Sequence, residues 1–152
     1  MNTASLNSPV GPLTIREADG SIVRLDWRHR ADSENLPEVL ARARAQLAEY
    51  FAGSRQGFDL PLAPEGSEFQ RAVCDAMSAI PFGETRTYGD IARDLGVPAQ
   101  AVGQACGGNP IPIFIPCHRV LAANGLGGFS GAGGVEAKVA LLRHEGAASL
   151  LI

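Results

Sequence analysis

Apolar and polar positions alternate, in part, on both sides of Asp19-Gly20. Pro12-Leu-Thr-Ile-Arg-Glu-Ala precedes that turn and Ile22-Val-Arg-Leu-Asp-Trp27 follows it. Period-two patterning around Asp-Gly predicts a β-hairpin over residues 8–27. The period then changes. Leu36, Val39, Leu40, Ala43, Leu47, Tyr50 and Phe51 recur at helical spacing up to Gly53, which predicts a helix over 36–52. Phe58-Asp-Leu-Pro-Leu62 has the character of a short strand, with its proline marking an edge or an end. The prolines and glycine between Leu60 and Gly66 read as a linker.

The second half of the chain is helical and broken. Ser67 with Gln70 three residues on forms a capping-box pattern. Phe69, Val73, Met77 and Ile80 give the buried stripe of the helix it opens, and Pro81 ends it. Tyr88–Leu95 predicts a short helix, Gly96-Val97 a turn, and Pro98 the first position of a second helix running to about Cys106. The pair has a helix-turn-helix pattern, which can present its second helix to a DNA groove but also occurs in helical hairpins without that role. Residues 109–121 are extended and apolar, with prolines that argue against a central strand. A glycine-rich loop fills 122–134, and Val135, Val139 and Leu142 mark a last helix ended by Gly146.

Composition narrows the classes. The chain has 152 residues, 45% apolar and 19% charged, which suits one compact unit or two small ones. No apolar run approaches the length of a membrane span, and the N-terminus carries no secretory pattern, so a cytoplasmic protein is expected. Three cysteines without a Cys-x-x-Cys pair argue against a disulfide framework and a structural zinc. A net charge of −3 gives no bulk attraction to nucleic acid. Lys138 is the only lysine.

The candidate chemistry centres on Cys117-His118-Arg119, which interrupts an apolar run. Cys74 and Cys106 lie on apolar helix faces and read as small buried hydrophobes. Cys117 has the same bland reading, but positive neighbours lower a thiol pKa and the thiolate is the reactive form. A histidine acting as a base needs an orienting partner. Glu145 is a candidate, since a carboxylate in the last turn of a helix opposes the helix dipole; a solvated surface glutamate is the alternative. The glycine-rich loop lacks the lysine of a phosphate loop.

Together these residues resemble the O6-alkylguanine-DNA alkyltransferase family (methylated-DNA–protein-cysteine methyltransferases). The likeness runs through Pro81-Phe-Gly-Glu84, Thr87-Tyr-Gly89, Ala101-Val-Gly103, Gly108-Asn-Pro-Ile-Pro112, Ile115-Pro-Cys-His-Arg-Val120, Lys138 and Leu141-Leu-Arg-His-Glu-Gly146. It implies an α+β fold in two parts. Residues 1–62 would form a small N-terminal antiparallel sheet with a helix, a ribonuclease H-like remnant. Residues 63–152 would form a helical, winged-helix or helix-turn-helix-like domain that binds DNA and accepts the alkyl group.

The resemblance also implies roles. Cys117 would take the alkyl group from O6-alkylguanine irreversibly, once per molecule. His118 would be its base through a water, and Glu145 would orient His118. Asn109 would shape the turn bearing the cysteine. The carbonyls of Cys117 and Val120 would read the guanine amino group, and Tyr88 would press on the phosphate as the base is flipped. Ala99, Ala101 and Gly103 would allow close approach to the minor groove, with Gln100 and Arg86 also on the DNA. No cofactor and no metal are implied, and the protein is expected to be a monomer whose partner is alkylated DNA. A sensor that binds alkylated bases without efficient transfer is the alternative, although such relatives typically lack the acceptor cysteine.

Two positions depart from the family pattern. Gln100 stands where the family usually carries an arginine that fills the place of the flipped nucleotide. Phe129 stands where a tyrosine usually donates a hydrogen bond to the leaving guanine, and Ser130 is the candidate substitute donor. Weaker duplex binding and slower transfer are the expected consequences.

Overall fold

The computed structural model describes residues 1–129, 131 and 133–147. The chain forms two compact units, Met1–Glu65 and Gly66–Ile152.

The first unit is a three-stranded antiparallel sheet with one helix. The strands β1 (Asn2–Ser8), β2 (Gly11–Ala18) and β3 (Ser21–Asp26) pair in the order β1-β2-β3. Asp19 and Gly20 both have positive φ, 52° and 84°, as a type I′ hairpin turn requires. The expected hairpin is therefore present, but the pairing begins earlier, at Asn2↔Glu17. Local patterning misses β1 because Ala4 is its only fully buried residue. Its outer edge is saturated by the following loop: Thr3 N–H donates to Ser33 Oγ at 2.9 Å, Ser33 N–H to Thr3 O at 3.0 Å, and Ser5 N–H to Asp32 Oδ1 at 2.9 Å. An edge covered this way offers no template for strand addition.

Helix α1 (Glu38–Ala52) packs across all three strands. It buries Val39, Leu40, Ala43, Leu47 and Tyr50, in a core that also holds Leu13, Ile15, Ile22 and Leu25. Buried Gln46 is satisfied by a reciprocal pair of bonds with the Asp59 backbone, at 2.9 and 3.3 Å. Phe58–Leu62 is not a strand. Only Leu62 bridges to Ile22, and Ile22 instead bonds the flanking Pro61 and Ala63 backbones.

The second unit contains α2 (Glu68–Ser78), β4 (Arg86–Thr87), α3 (Tyr88–Leu95), α4 (Ala99–Gly107), a 3-10 turn (Cys117–Arg119), β5 (Val120–Leu121) and α5 (Val135–Glu145). Ser67 caps α2 by accepting from Gln70 N–H at 3.0 Å, but the reciprocal half of the capping box is absent. The Gln70 amide reaches across to Ala105 O at 2.7 Å and ties α2 to α4. The full capping box lies at Thr87 and Asp90, and fixes the start of α3. Gly96, at φ 69°, closes α3 and turns the chain into α4. Pro98 is the N-cap of α4 rather than its first helical residue, with ψ 145°. β4 and β5 pair in parallel, Arg86↔Val120 and Thr87↔Leu121. That small pairing sets the start of α3 beside the end of the Cys117 turn.

The buried face of α5 differs from the expected one. Val135 is exposed and Val139 only partly covered, while Ala137, Lys138, Leu141, Leu142 and Glu145 face inward. Two charged residues displace the apolar stripe, for reasons the site makes plain.

Candidate active site

The segment ahead of the cysteine is held in tight turns. Phe114 N–H donates to Pro112 O at 2.9 Å, closing a three-residue turn around Ile113, whose φ is 72°. A positive φ at a β-branched residue is strained, and such strain persists only where the surroundings impose it. Asn109 is one source. Its amide donates to Ile115 O at 2.9 Å and its carbonyl accepts from Ile111 N–H at 3.0 Å, so one buried side chain staples both sides of the turn. Cys117 N–H then donates to Ile115 O at 2.8 Å around Pro116, an inverse γ-turn at φ −81°, ψ 67°. The thiol is thereby fixed on a stiff backbone.

Behind it lies a buried polar cluster. His118 Nε2 is 2.8 Å from Glu145 Oε2. Arg119 grips the same carboxylate with two donors, Nε to Oε1 at 2.8 Å and Nη2 to Oε2 at 3.0 Å. A third Arg119 donor, Nη1, bonds Ile80 O just past α2 at 2.6 Å. Glu145 stands against its helix dipole because three charge-assisted bonds hold it there. Burial keeps the His118 pKa below its ordinary value, in spite of the pull of Glu145. A neutral imidazole donating from Nε2 to a carboxylate leaves a lone pair on Nδ1. Nδ1 is buried and has no protein partner among the described residues, the arrangement a general base needs.

Cys117, Tyr88, Gly103, Cys106, Gly107, Gly128 and Phe129 line one cavity of about 440 Å³. That is within the size range of small-molecule sites. Gly103, Cys106 and Gly107 come from one face of α4, at helical spacing, and leave that wall thin. Tyr88 lines this cavity and also a wider recess bounded by Thr87, Gly89, Arg93, Ala99, Gln100, Gly103 and Gln104. Gly127 is required beside it: at φ 74°, an added Cβ would lie 3.0 Å from the Tyr88 hydroxyl.

The adjacent cations do not lower the Cys117 pKa as expected. Burial dominates and pushes it up to about 11, opposed by the Asn109 side-chain hydrogen bond and the charge of Lys138. The neutral His118 ring and the Arg119 guanidinium are turned toward Glu145 instead.

The remaining expected residues are placed as follows. Val120 is buried, and its carbonyl accepts from Lys138 Nζ at 2.6 Å. Phe129 is on the cavity wall, and Ser130 lies outside the described residues. Ala99, Gln100 and Gly103 share the recess, whereas Ala101 is part-buried beyond its lining. Arg86 is engaged by Asp94 at 2.9 Å. Sequence reasoning assigned Cys106 to the core, yet it shares the cavity with Cys117; its i, i+3 spacing from Gly103 was the available signal. It also gave Lys138 no role. A single lysine on the inner face of α5 was the sign.

Family models match both units. Residues 1–64 match the 6-O-methylguanine DNA methyltransferase, ribonuclease-like domain, and residues 68–147 match the DNA binding domain of the same enzyme. The chain belongs to the 6-O-methylguanine DNA methyltransferase family. Similar proteins include the methylated-DNA–protein-cysteine methyltransferase of Methanosarcina acetivorans, 42% identical over 96% of this chain and 99% of that one. The constitutive enzyme of Bacillus subtilis is 43% identical over 91% of both chains. Among solved structures, Mycobacterium tuberculosis OGT in complex with DNA superposes with a TM-score of 0.85 at 40% identity, covering 99% of this chain and 98% of that one. The α+β fold and its ribonuclease-like first unit are those of this family. Among the described residues no helix is long and apolar enough to cross a membrane, and no cluster of His, Cys, Asp or Glu is suited to a metal ion.

Proposed function

We propose that this protein repairs DNA by transferring the alkyl group of O6-alkylguanine to Cys117, once per molecule. The observation that carries this reading is the cavity with Cys117 on its wall, backed by the buried His118–Glu145–Arg119 cluster. In the reaction, His118 Nδ1 takes the thiol proton through a water. The thiolate sulfur attacks the O6-alkyl carbon; the S–C bond forms as the C–O bond breaks, and the electron pair leaves on guanine. The thioether product has no route back, which makes the protein its own consumed reagent.

O6 is not open to in-line attack within a stacked duplex, so the guanine must be flipped into the cavity. The recess carrying Ala99, Gln100 and Gly103 is where the DNA lies, through the minor groove, with small side chains permitting close approach. Tyr88, shared by recess and cavity, stands at the passage between them. Affinity rests on fit and deformation more than on phosphate neutralisation, in keeping with a net charge of −3. The protein acts as a monomer in the cytoplasm, and no cofactor takes part.

Intact mass tests this. After incubation with an O6-methylguanine oligonucleotide, the protein gains one methyl in place of a proton, and Cys117→Ser abolishes the gain. Binding with no change in mass supports a damage sensor instead, and repeated turnover excludes both readings.

A further inference from the structure

Helix α4 turns very little side chain toward the recess. Ala99, Ala101, Gly103, Ala105 and Gly107 carry a methyl group or nothing, and Val102 and Cys106 are buried. Only Gln100 and Gln104 combine a long side chain with exposure. They are four residues apart, so they stand one above the other on a single helix face. Both line the recess, together with Tyr88 and Gly103. Tyr88 and Gly103 are also walls of the cavity that holds Cys117. Gln104 therefore directly follows, in the chain, a residue at which recess and cavity meet. The nearby arginines are engaged by carboxylates: Arg93 bonds Asp90, and Arg86 is held by Asp94 at 2.9 Å.

A primary amide is neutral and offers a donor and an acceptor together. In the minor groove every base pair presents acceptors, but only G·C adds a donor, the guanine N2 amino group. One glutamine can donate to guanine N3 and accept from guanine N2 at once. An A·T pair satisfies the NH₂ and leaves the amide oxygen facing further acceptors, and a polar atom left unmatched in a close interface costs free energy. The spacing along the helix sets where this contact falls. Four residues rise about 6 Å along an α-helix. Successive nucleotides of one strand are about 3.4 Å apart along the duplex. The family resemblance puts position 100 at the gap left by the flipped nucleotide. Position 104 then falls within the next two base pairs.

We propose that Gln104 is a specificity-determining residue of the repair reaction, a reader of minor-groove base edges that favours a G·C pair beside the alkylated guanine. This rests on the proposed function, with DNA lying in the recess. Gly103 and Gly107 flank Gln104 on its own face and let the backbone come close enough for a side chain of this length to reach the groove floor. Because the amide carries no charge, its contribution does not fade with salt as a phosphate contact does.

An inosine scan tests this. The probe is a duplex with one O6-methylguanine and G·C pairs at the two positions on either side. Inosine, which is guanosine without the N2 amino group, replaces each flanking guanosine in turn. Affinity is read by fluorescence titration in the Cys117→Ser background, which consumes no methyl group. Transfer is read from single-turnover rates below saturation. Both are measured with Gln104 and with Gln104→Ala. Gln104 is exposed and alanine is the better helix former, so the variant folds. Inosine also pairs more weakly with cytosine, and comparing the two proteins on the same duplexes cancels that effect. With Gln104 in place, inosine at one of the scanned positions weakens binding and slows transfer about fivefold or more, and in Gln104→Ala the same replacement changes either by less than about twofold. The slope of log K on log salt is the same in both proteins. An inosine penalty equal in the two proteins at every position overturns the proposal. So does a loss of affinity in Gln104→Ala that is the same on every duplex, the mark of a phosphate contact or of packing alone. Discrimination by Gln104 without any methyl transfer in the wild type sinks the transfer and leaves the base reading standing; full-rate transfer without discrimination does the reverse.

Discussion

Replacing Glu145 with glutamine keeps the shape of the side chain and removes one acceptor. The carboxylate accepts three bonds, from His118 Nε2 and from Arg119 Nε and Nη2, all buried. An amide has one acceptor oxygen and one NH₂. If the NH₂ faces Arg119, donor meets donor and the guanidinium loses a bond in a site with no water to replace it. If it faces His118, the imidazole must accept at Nε2 and carry its proton on Nδ1, which removes the base. Breaking a buried pair by changing one partner costs about 3–5 kcal/mol. For a chain of this size each kcal/mol shifts Tm by about 2–4 °C, so a fall of roughly 6–20 °C is expected. The loss of the base slows transfer by about 10²–10⁴-fold. Calorimetry and a single-turnover rate on an O6-methylguanine duplex read the two effects. A variant that melts within 2 °C of the wild type (about 1 kcal/mol or less) and reacts within about twofold refutes the assigned hydrogen bonds and the role of His118.

Phe129→Tyr restores a phenol on the cavity wall and is expected to speed methyl transfer by about tenfold or more, since a donor to a developing oxyanion is worth about 10²–10³ in rate. No gain in a quench-flow time course means the leaving guanine already has its donor. Gln100→Arg adds a cation to the recess; duplex affinity rises at low salt and the slope of log K on log salt steepens by about one, and an unchanged slope in fluorescence titrations contradicts the placement of DNA there. Stability falls as pH rises above 9, because Cys117 and Cys106 keep their protons when folded, to about 11 and 12, but lose them from 9.0 when unfolded. Lys138 opposes this, binding its proton more weakly folded, about 8, than unfolded, 10.5, but two thiols outweigh one amine; a denaturation midpoint that rises between pH 9 and 10.5 rules out the buried thiols.

Periodicity alone located α1, α3 and α4, because each combines an apolar face with a glycine or proline stop. It missed β1, where polar residues pair with the hairpin on one side and the 30–33 loop on the other. It misjudged α5, where Lys138 and Glu145 occupy the face a hydrophobic pattern assigns to solvent. The site was legible in the same uneven way. Cys117, His118 and Glu145 stood out because each violates a local preference, and tertiary contacts override such preferences at functional sites. The acidity of the thiol was not legible. Adjacent residues in a 3-10 turn diverge, so His118 and Arg119, next to Cys117 in sequence, bond Glu145 instead of the thiol.

Burial also gives the site its selectivity in time. Burial opposes ionisation of the Cys117 thiol and pushes its pKa up to about 11. An exposed cysteine would be far more reactive toward any electrophile, and an acceptor used once has no second chance. In the proposed reaction, reactivity would depend on buried groups acting together: Asn109 on the turn and the sulfur, and Nδ1 of His118 as the proton's destination. Each is weak against the burial that opposes ionisation. A substrate that fills the cavity and presents its alkyl carbon to the sulfur would draw on both at once. The same enclosure that makes Cys117 look like core in the sequence is what reserves it for a base brought into the cavity.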